Sequence, residues 1–330
     1  MLETNSKYED RTIIFLHIPK AAGMTIYSIL RNQYNETESH LLQGNTILQA
    51  IEDLKKLPPE SKNKIRLLYG HMHFGLHRQF TAKTSYFTLL REPVDRIISH
   101  YYYVLKTPSH YLHEKVLKYK MNLKEYVSSG ISKELNNSQL RYISAGDSRI
   151  DLNKCSHDLI DKTQTILDNF FVVVGIKEFF DETMIMLRKA LNWKRPPVYI
   201  KQNVTKTRIK KEELDNDTME TIKKYNQLDI GLYHAAAVDF KKKMKSFGDS
   251  FQEELKAFKI LNTHWQQFWS GNRLKYKFLQ KSNRAIVKDI NNRIEILRRE
   301  GDEKTALCLL KDAIALYPRA KKLERFLKSF

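Results

Sequence analysis

The chain has 330 residues, enough for one large domain or two modest ones. Its 42% hydrophobic and 11% aromatic content is too rich for a disordered chain, and no apolar run approaches the roughly 18 residues of a membrane span. The formal charge of +19 points to anionic partners, and residues 241–330 hold 22 basic against 10 acidic residues, +12 of that total.

The start of the chain lacks the basic-then-apolar order of a secretory signal. Two cysteines, Cys155 and Cys308, provide neither a disulfide framework nor a cysteine zinc site. A reducing, cytoplasmic setting is therefore the expectation.

In chain order, Thr12 to Ile18 is a nearly continuous, β-branched apolar run and predicts a buried parallel strand. Pro19 to Gly23 breaks it, and Thr25, Ile26, Ile29 and Leu30 begin a helical pattern. Ile65–Tyr69 and Ser85–Leu90 predict two more strands, the second running into Arg91-Glu92-Pro93 and a helix that Pro93 opens. Phe170–Gly175 predicts a fourth, followed by an amphipathic segment over Phe179–Leu191. Strands alternating with helices predict an α/β fold with a parallel sheet.

Beyond Arg195-Pro196-Pro197 a polar basic loop spans Lys201–Lys211, and from Glu212 the periodicity is helical. A soft boundary near Ser246-Phe247-Gly248-Asp249 divides a domain of residues 1–240 from a basic helical extension of residues 241–330. Ala306, Leu310, Ala313 and Pro318, after the turn at Gly301-Asp302, have the spacing of a single tetratricopeptide-like hairpin. One copy cannot bury its face alone, so an ordinary helical hairpin closing the core is the preferred reading.

Two segments carry chemistry. His17-Ile18-Pro19-Lys20-Ala21-Ala22-Gly23-Met24-Thr25 is a strand, a turn of small residues with a lysine, then a helix. Small residues let backbone amides approach an anion at a helix N-terminus. The lysine precedes the small residues, so this is not the Walker A order, and a magnesium-dependent nucleotide hydrolase is disfavoured. In the second segment Arg91 stands at the end of a predicted strand, where α/β ligands bind. Ser99 follows about two helical turns later, a separation at which a guanidinium and a hydroxyl hold one phosphate from two sides. The alternatives are an Arg91–Asp95 ion pair and a Ser99 hydroxyl bonded back to a helical carbonyl.

Together these segments resemble the 5′-phosphosulfate loop and the 3′-phosphate site of PAPS-dependent sulfotransferases, in the carbohydrate branch that includes heparan sulfate 2-O-sulfotransferases and bacterial relatives. Tyr69-Gly70-His71-Met72-His73-Phe74-Gly75-Leu76-His77 is similar to a family segment that supplies a histidine base. Asn137–Gly146, Phe171–Asp181 and Asn203-Val204-Thr205-Lys206 match further segments, collinear over residues 11–235. Met24 departs from a position often filled by Ser or Thr, and residues beyond 240 fall outside the resemblance.

The resemblance implies a P-loop-type parallel sheet flanked by helices, and an enzyme that moves a sulfuryl group from PAPS to a saccharide hydroxyl without a metal. Lys20 would act on the leaving phosphate, with Ala21, Ala22, Gly23, Met24 and Thr25 around the 5′-phosphate. Arg91 and Ser99 would hold the 3′-phosphate, and Asn203, Thr205 and Lys206 would close over the cofactor. His71 or His73 is the implied base, since imidazole titrates near neutrality. His77 and Arg141 are the candidate acceptor contacts. Rival readings are a small-molecule or nucleotide kinase and a non-enzymatic polyanion-binding protein. Nucleic acid is an unlikely partner, and for the basic extension a solvated face or an anionic glycan surface comes before it.

Overall fold

The computed structural model describes residues 11–44, 46–144, 158–201, 208–271, 279–318, 320–328 and 330. Five strands form one sheet: β1 (Thr12–Leu16), β2 (Ser39–Leu42), β3 (Leu67–Gly70), β4 (Thr84–Leu90) and β5 (Phe171–Ile176). Their order is β2-β3-β1-β4-β5, and every neighbouring pair is parallel. β1 and β3 are buried throughout, and β4 after its first residue, as strands covered on both faces require.

The expected α/β architecture is present. The sequence reading missed β2, a four-residue edge strand with only Leu42 buried, which is too short and too polar to read as an apolar run. Because β1 lies between β3 and β4, the chain leaves three neighbouring strands at one edge of the sheet, after Leu16, Gly70 and Leu90. Such a switch point leaves a crevice at the carboxyl ends of the strands.

Helices follow from local pattern. Gly23–Gln33 buries Ile26, Ile29 and Leu30 on one face. Pro93–Lys106 starts with Pro93 in its first turn and is capped by the Glu92 carboxylate, which accepts from the Asp95 amide at 2.8 Å. Phe180–Ala190 returns along β5 and buries Met184, Ile185 and Leu187.

The helix Gln227–Ser246 ends at Phe247 and Gly248, the latter at φ 67°, and the next spans Asp249–Gly271. Phe251, Phe258, Ile294 and Leu310 from the later helices share one hydrophobic cluster with Leu16 and Ile185. Arg188–Asp312 (2.6 Å), Lys189–Glu254 (2.5 Å) and Lys259–Glu182 (2.9 Å) tie the same layers. Helices Leu279–Arg299 and Glu303–Leu316 turn about Gly301 at φ 81°, where Asp302 caps the Thr305 amide. Ala306, Leu310 and Ala313 face inward there. Lys241, Lys242, Lys243 and Lys245 are exposed. Among the described residues no helix is long and apolar enough to cross a membrane.

Candidate active site

The chain leaves β1 through a turn in which Lys20 (φ 69°) and Ala22 (φ 67°) both take the left-handed conformation. Side chains other than glycine adopt it at a cost, and such alternation turns successive amides into an anion-binding concavity. The helix that follows has no side-chain cap, and the amides of Ala22, Gly23 and Met24 donate to no acceptor among the described residues.

Gly23 is required for packing. A Cβ there would lie 1.7 Å from Nε2 of His17, whose buried ring supports the turn from below. Gly23→Ala should therefore displace the loop or the ring, costing about 1–3 kcal/mol as overpacking. Calorimetric melting and titration with 3′-phosphoadenosine 5′-phosphate should both register it.

His17 links the loop to β3. Its Nδ1 shares a 2.7 Å hydrogen bond with the Tyr27 hydroxyl, and its ring stacks on His71 with centroids 4.1 Å apart. Burial, then the charges of His71 and Lys20, hold His17 well below the usual histidine range, so the ring is neutral. His71 lies 3.1 Å by Nδ1 from the His17 carbonyl. A carbonyl only accepts, so Nδ1 carries the proton and Nε2 of neutral His71 keeps its lone pair. Burial lowers the pKa of His71, the His17 carbonyl and Glu134 oppose the shift, and Lys20 adds to it.

Lys20 places Nζ 3.6 Å from the centroid of the Tyr103 ring, a cation–π contact. Burial and then the Arg91 charge lower its pKa to about 8, against an upward pull from Glu134. Tyr101 and Tyr102 pack inward while Tyr103 is exposed, so the three tyrosines divide between anchoring the helix and facing Lys20.

Arg91 joins the loop to β4. Its Nη1 donates to the Lys20 carbonyl at 2.9 Å, and its Nη2 pairs with Asp95 at 2.8 Å. The ion pair allowed by the spacing is thus formed, but Asp95 is shared. Arg208 approaches it at 3.4 Å and Lys177 at 3.9 Å, so three cations surround one carboxylate. Burial opposes ionisation of Asp95, but Arg91, Arg208 and Lys177 together hold it below the usual carboxylate range. Ser99, one turn beyond Asp95, has no hydroxyl partner among the described residues, so the back-bonded alternative is not adopted. The excess positive charge beside a free hydroxyl suits a dianion.

Arg91 is positioned from behind. The side-chain amide of Gln139 accepts from the Arg91 backbone N–H at 2.9 Å and donates to its carbonyl at 2.8 Å. Gln139 is fixed in turn by buried Asp229, whose carboxylate accepts from the amides of Gln139 (3.0 Å) and Leu140 (2.8 Å). Asn137, at φ 47°, accepts from the amides of Leu228 and Asp229. Gln139→Leu should leave both Arg91 backbone groups unpaired, costing about 1–3 kcal/mol each. It should weaken binding of 3′-phosphoadenosine 5′-phosphate about tenfold, while Gln139→Glu at low pH restores part of the loss. Isothermal titration checks both.

Glu134 was not singled out in the sequence reading. Its Oε2 lies 2.5 Å from Nε2 of buried His100, whose Nδ1 meets the Tyr126 hydroxyl at 2.9 Å. Burial works against its ionisation, but the hydrogen bond and charge of His100 and the charge of Arg96 hold it at about 2. It is thus a fixed anion acting on Lys20 and His71. Ligand atoms of His100, His110 and Glu134 all lie within 4.8 Å of one another. Both His100 nitrogens are engaged, and Nδ1 of His110 accepts from the Leu112 amide, so the cluster is held by hydrogen bonds.

The remaining predicted residues divide. His73 packs its ring on Tyr142 at 4.9 Å; burial lowers its pKa, and neither Lys20 nor Glu134 contributes. His77 sits against Phe74 and Phe170, with its amide donating to the Tyr86 hydroxyl at 2.8 Å. Arg141 is buried, and its guanidinium donates to the carbonyl and side chain of Asn136. Asn203, Thr205 and Lys206 lie outside the described residues, as do Ala145, Gly146 and Cys155. Lys20, His71 and Arg91 are thus brought together at the sheet's carboxyl edge, with His17, Lys177, Arg208 and Glu134 added by the fold. His17 and Lys177 lie within the motif segments and Arg208 within the late basic loop, but the sequence reading assigned none of them to the site.

The fold and this site define an α/β protein with an amide-lined loop, a lysine and a histidine at the carboxyl edge of a parallel sheet. The family model described as galactose-3-O-sulfotransferase matches residues 3–267. The chain belongs to that family, and the match runs past residue 240 into the helix Asp249–Gly271. Mouse galactose-3-O-sulfotransferase 2 is 24% identical over 240 residues, 67% of this chain and 59% of the relative. Human heparan sulfate 2-O-sulfotransferase 1 is 25% identical over 245 residues, covering 69% and 68%, and its chicken counterpart 25% over 240 residues, 67% of each. The matched region therefore spans under two thirds of the mouse galactose relative's own length.

Proposed function

We propose that the protein transfers the sulfuryl group of PAPS to a hydroxyl of a saccharide. The reading rests on family membership and above all on one observation. A single hydrogen-bonded unit links the exits of β1, β3 and β4, through Arg91 Nη1 to the Lys20 carbonyl and His71 Nδ1 to the His17 carbonyl. It holds a cation, a base and an anion site in fixed relation.

PAPS supplies the activated sulfuryl group. The amides of Ala22, Gly23 and Met24 would donate to the 5′-phosphate, and Arg91, Arg208, Lys177 and Ser99 would donate to the 3′-phosphate. This last set is what distinguishes PAPS from a nucleoside triphosphate. Nε2 of His71 takes the proton of the acceptor hydroxyl as its oxygen bonds to sulfur. The sulfur–oxygen bond to the 5′-phosphate breaks in the same step, and Lys20 neutralises the charge that develops on that leaving oxygen. Lys20 exchanges its Tyr103 contact for the phosphate, so the ring keeps the ammonium near the site in the free protein. Domain bounds of 1–240 and 241–330 and a tetratricopeptide-like role for the last hairpin belong to the same proposal.

Transfer of ³⁵S from PAPS to a panel of desulfated glycosaminoglycans and galactose-terminated oligosaccharides tests the activity. Incorporation into at least one acceptor is expected. Binding of ATP but not 3′-phosphoadenosine 5′-phosphate, with magnesium-dependent phosphoryl transfer, would replace this reading with the kinase alternative.

A further inference from the structure

A cavity of about 420 Å³ opens at the opposite edge of the sheet from Lys20. Arg11 and Arg66 precede β1 and β3, while Arg31 and the residues after it end the helix that starts at Gly23. Eleven helical residues at 1.5 Å each separate the two ends by about 16 Å. Lys194 and Arg195 complete the rim. The lining thus contains five cations and no carboxylate. Arg31, Arg66, Lys194 and Arg195 form no ion pair with any carboxylate among the described residues. By contrast, Arg91, Arg188 and Arg208 are each paired. Glu38, close by in sequence, is held by Asn35 at 3.2 Å and lies outside the lining.

We propose that this cavity is a second anion site that binds a sulfated or carboxylated segment of a saccharide chain. The choice of a saccharide rests on the proposed activity, whereas selection for an anion rests on the cavity alone. Two features favour a saccharide over nucleic acid. The Trp193 indole is buried, with its Nε1 donating to the Tyr34 hydroxyl at 3.2 Å, and so is withdrawn from the base stacking by which single-stranded nucleic acid binds. Asn32 and Asn35 stand among the cations, and amides both donate to and accept from sugar hydroxyls. A chain gripped here stays tethered while its hydroxyls are sampled at the other edge, which raises their effective concentration.

The test uses the full chain saturated with 3′-phosphoadenosine 5′-phosphate and a heparin-derived hexasaccharide as probe, by isothermal titration. Arg31→Glu with Lys194→Glu should weaken hexasaccharide binding at least tenfold and flatten its salt dependence. Melting temperature and nucleotide binding should stay unchanged. Lys241→Glu with Lys242→Glu, on the exposed cluster of the extension, should change the affinity less than twofold. Equal losses in the two double variants, or none in the first, overturn the proposal. Tighter binding of a hexathymidylate through Arg31 and Lys194 assigns the site to nucleic acid instead. Failure of the sulfotransferase reading would appear separately, as absent ³⁵S transfer and nucleotide binding with hexasaccharide binding intact.

Discussion

Lys20→Ala is expected to reduce sulfuryl transfer about 10²–10³-fold, the range for removing one preorganised charge from a developing oxyanion. The loss should fall mainly on kcat, because the amides of Ala22 to Met24 and the Asp95 cluster keep their hold on the nucleotide. Titration with 3′-phosphoadenosine 5′-phosphate separates the two effects. Binding within about fivefold of wild type with transfer abolished assigns Lys20 to the transition state. Equal losses in binding and turnover would make it only a ground-state contact. Lys20→Arg should recover little, since a planar fork cannot replace a compact ammonium in the turn. Burial and the Arg91 charge leave Lys20 near pKa 8 in the free protein. The charged form is lost as pH rises through that value, so kcat/KM for PAPS should decline above about pH 8.

His71→Ala should lower the rate by about 10²–10⁴-fold, the usual contribution of a positioned base. Its active form is the neutral one, lost as pH falls through a pKa that burial sets below 6.5. The acidic limb of kcat/KM should therefore lie below pH 6.5 in the wild type and disappear in the variant. His73→Ala should spare that limb, because its ring packs on Tyr142 and does not share charge with Lys20 or Glu134. If the limb vanished with His73 and survived without His71, the assignment of the base would pass to His73. Glu134→Gln would remove the anion that raises both Lys20 and His71, and so move both limbs toward lower pH.

Much of the fold was legible because its strands are buried on both faces. Thr12–Leu16 and Ser85–Leu90 are nearly continuous apolar runs, and such runs have few other uses. Ser39–Leu42 was not legible, since an edge strand with three half-buried residues carries no distinctive pattern. The site divides in the same way. Lys20, Ala22 and Gly23 stand out because a strand, a turn of small residues and a helix adjoin in sequence. Glu134, Lys177 and Arg208 do not stand out, because nothing local to each residue shows that it reaches the cleft. Arg141 carried a motif signal, and its guanidinium donates to the carbonyl and side chain of Asn136. The Asn137–Gln139 motif instead positions Arg91 through backbone hydrogen bonds, a role no residue pattern could specify.

Charge shows the same division. From the sequence alone, composition established a +19 charge and its concentration beyond residue 240, and local motifs pointed to Lys20 as a candidate phosphate contact. Only the tertiary structure decided which cations are spent and which remain. Arg188 is neutralised by Asp312, and Arg91, Lys177 and Arg208 converge on a single Asp95. Arg31, Arg66, Lys194 and Arg195 meet around a cavity with no carboxylate. The physical reason is that sequence counts charges, whereas binding depends on the local excess left after pairing, and pairing is a matter of distance.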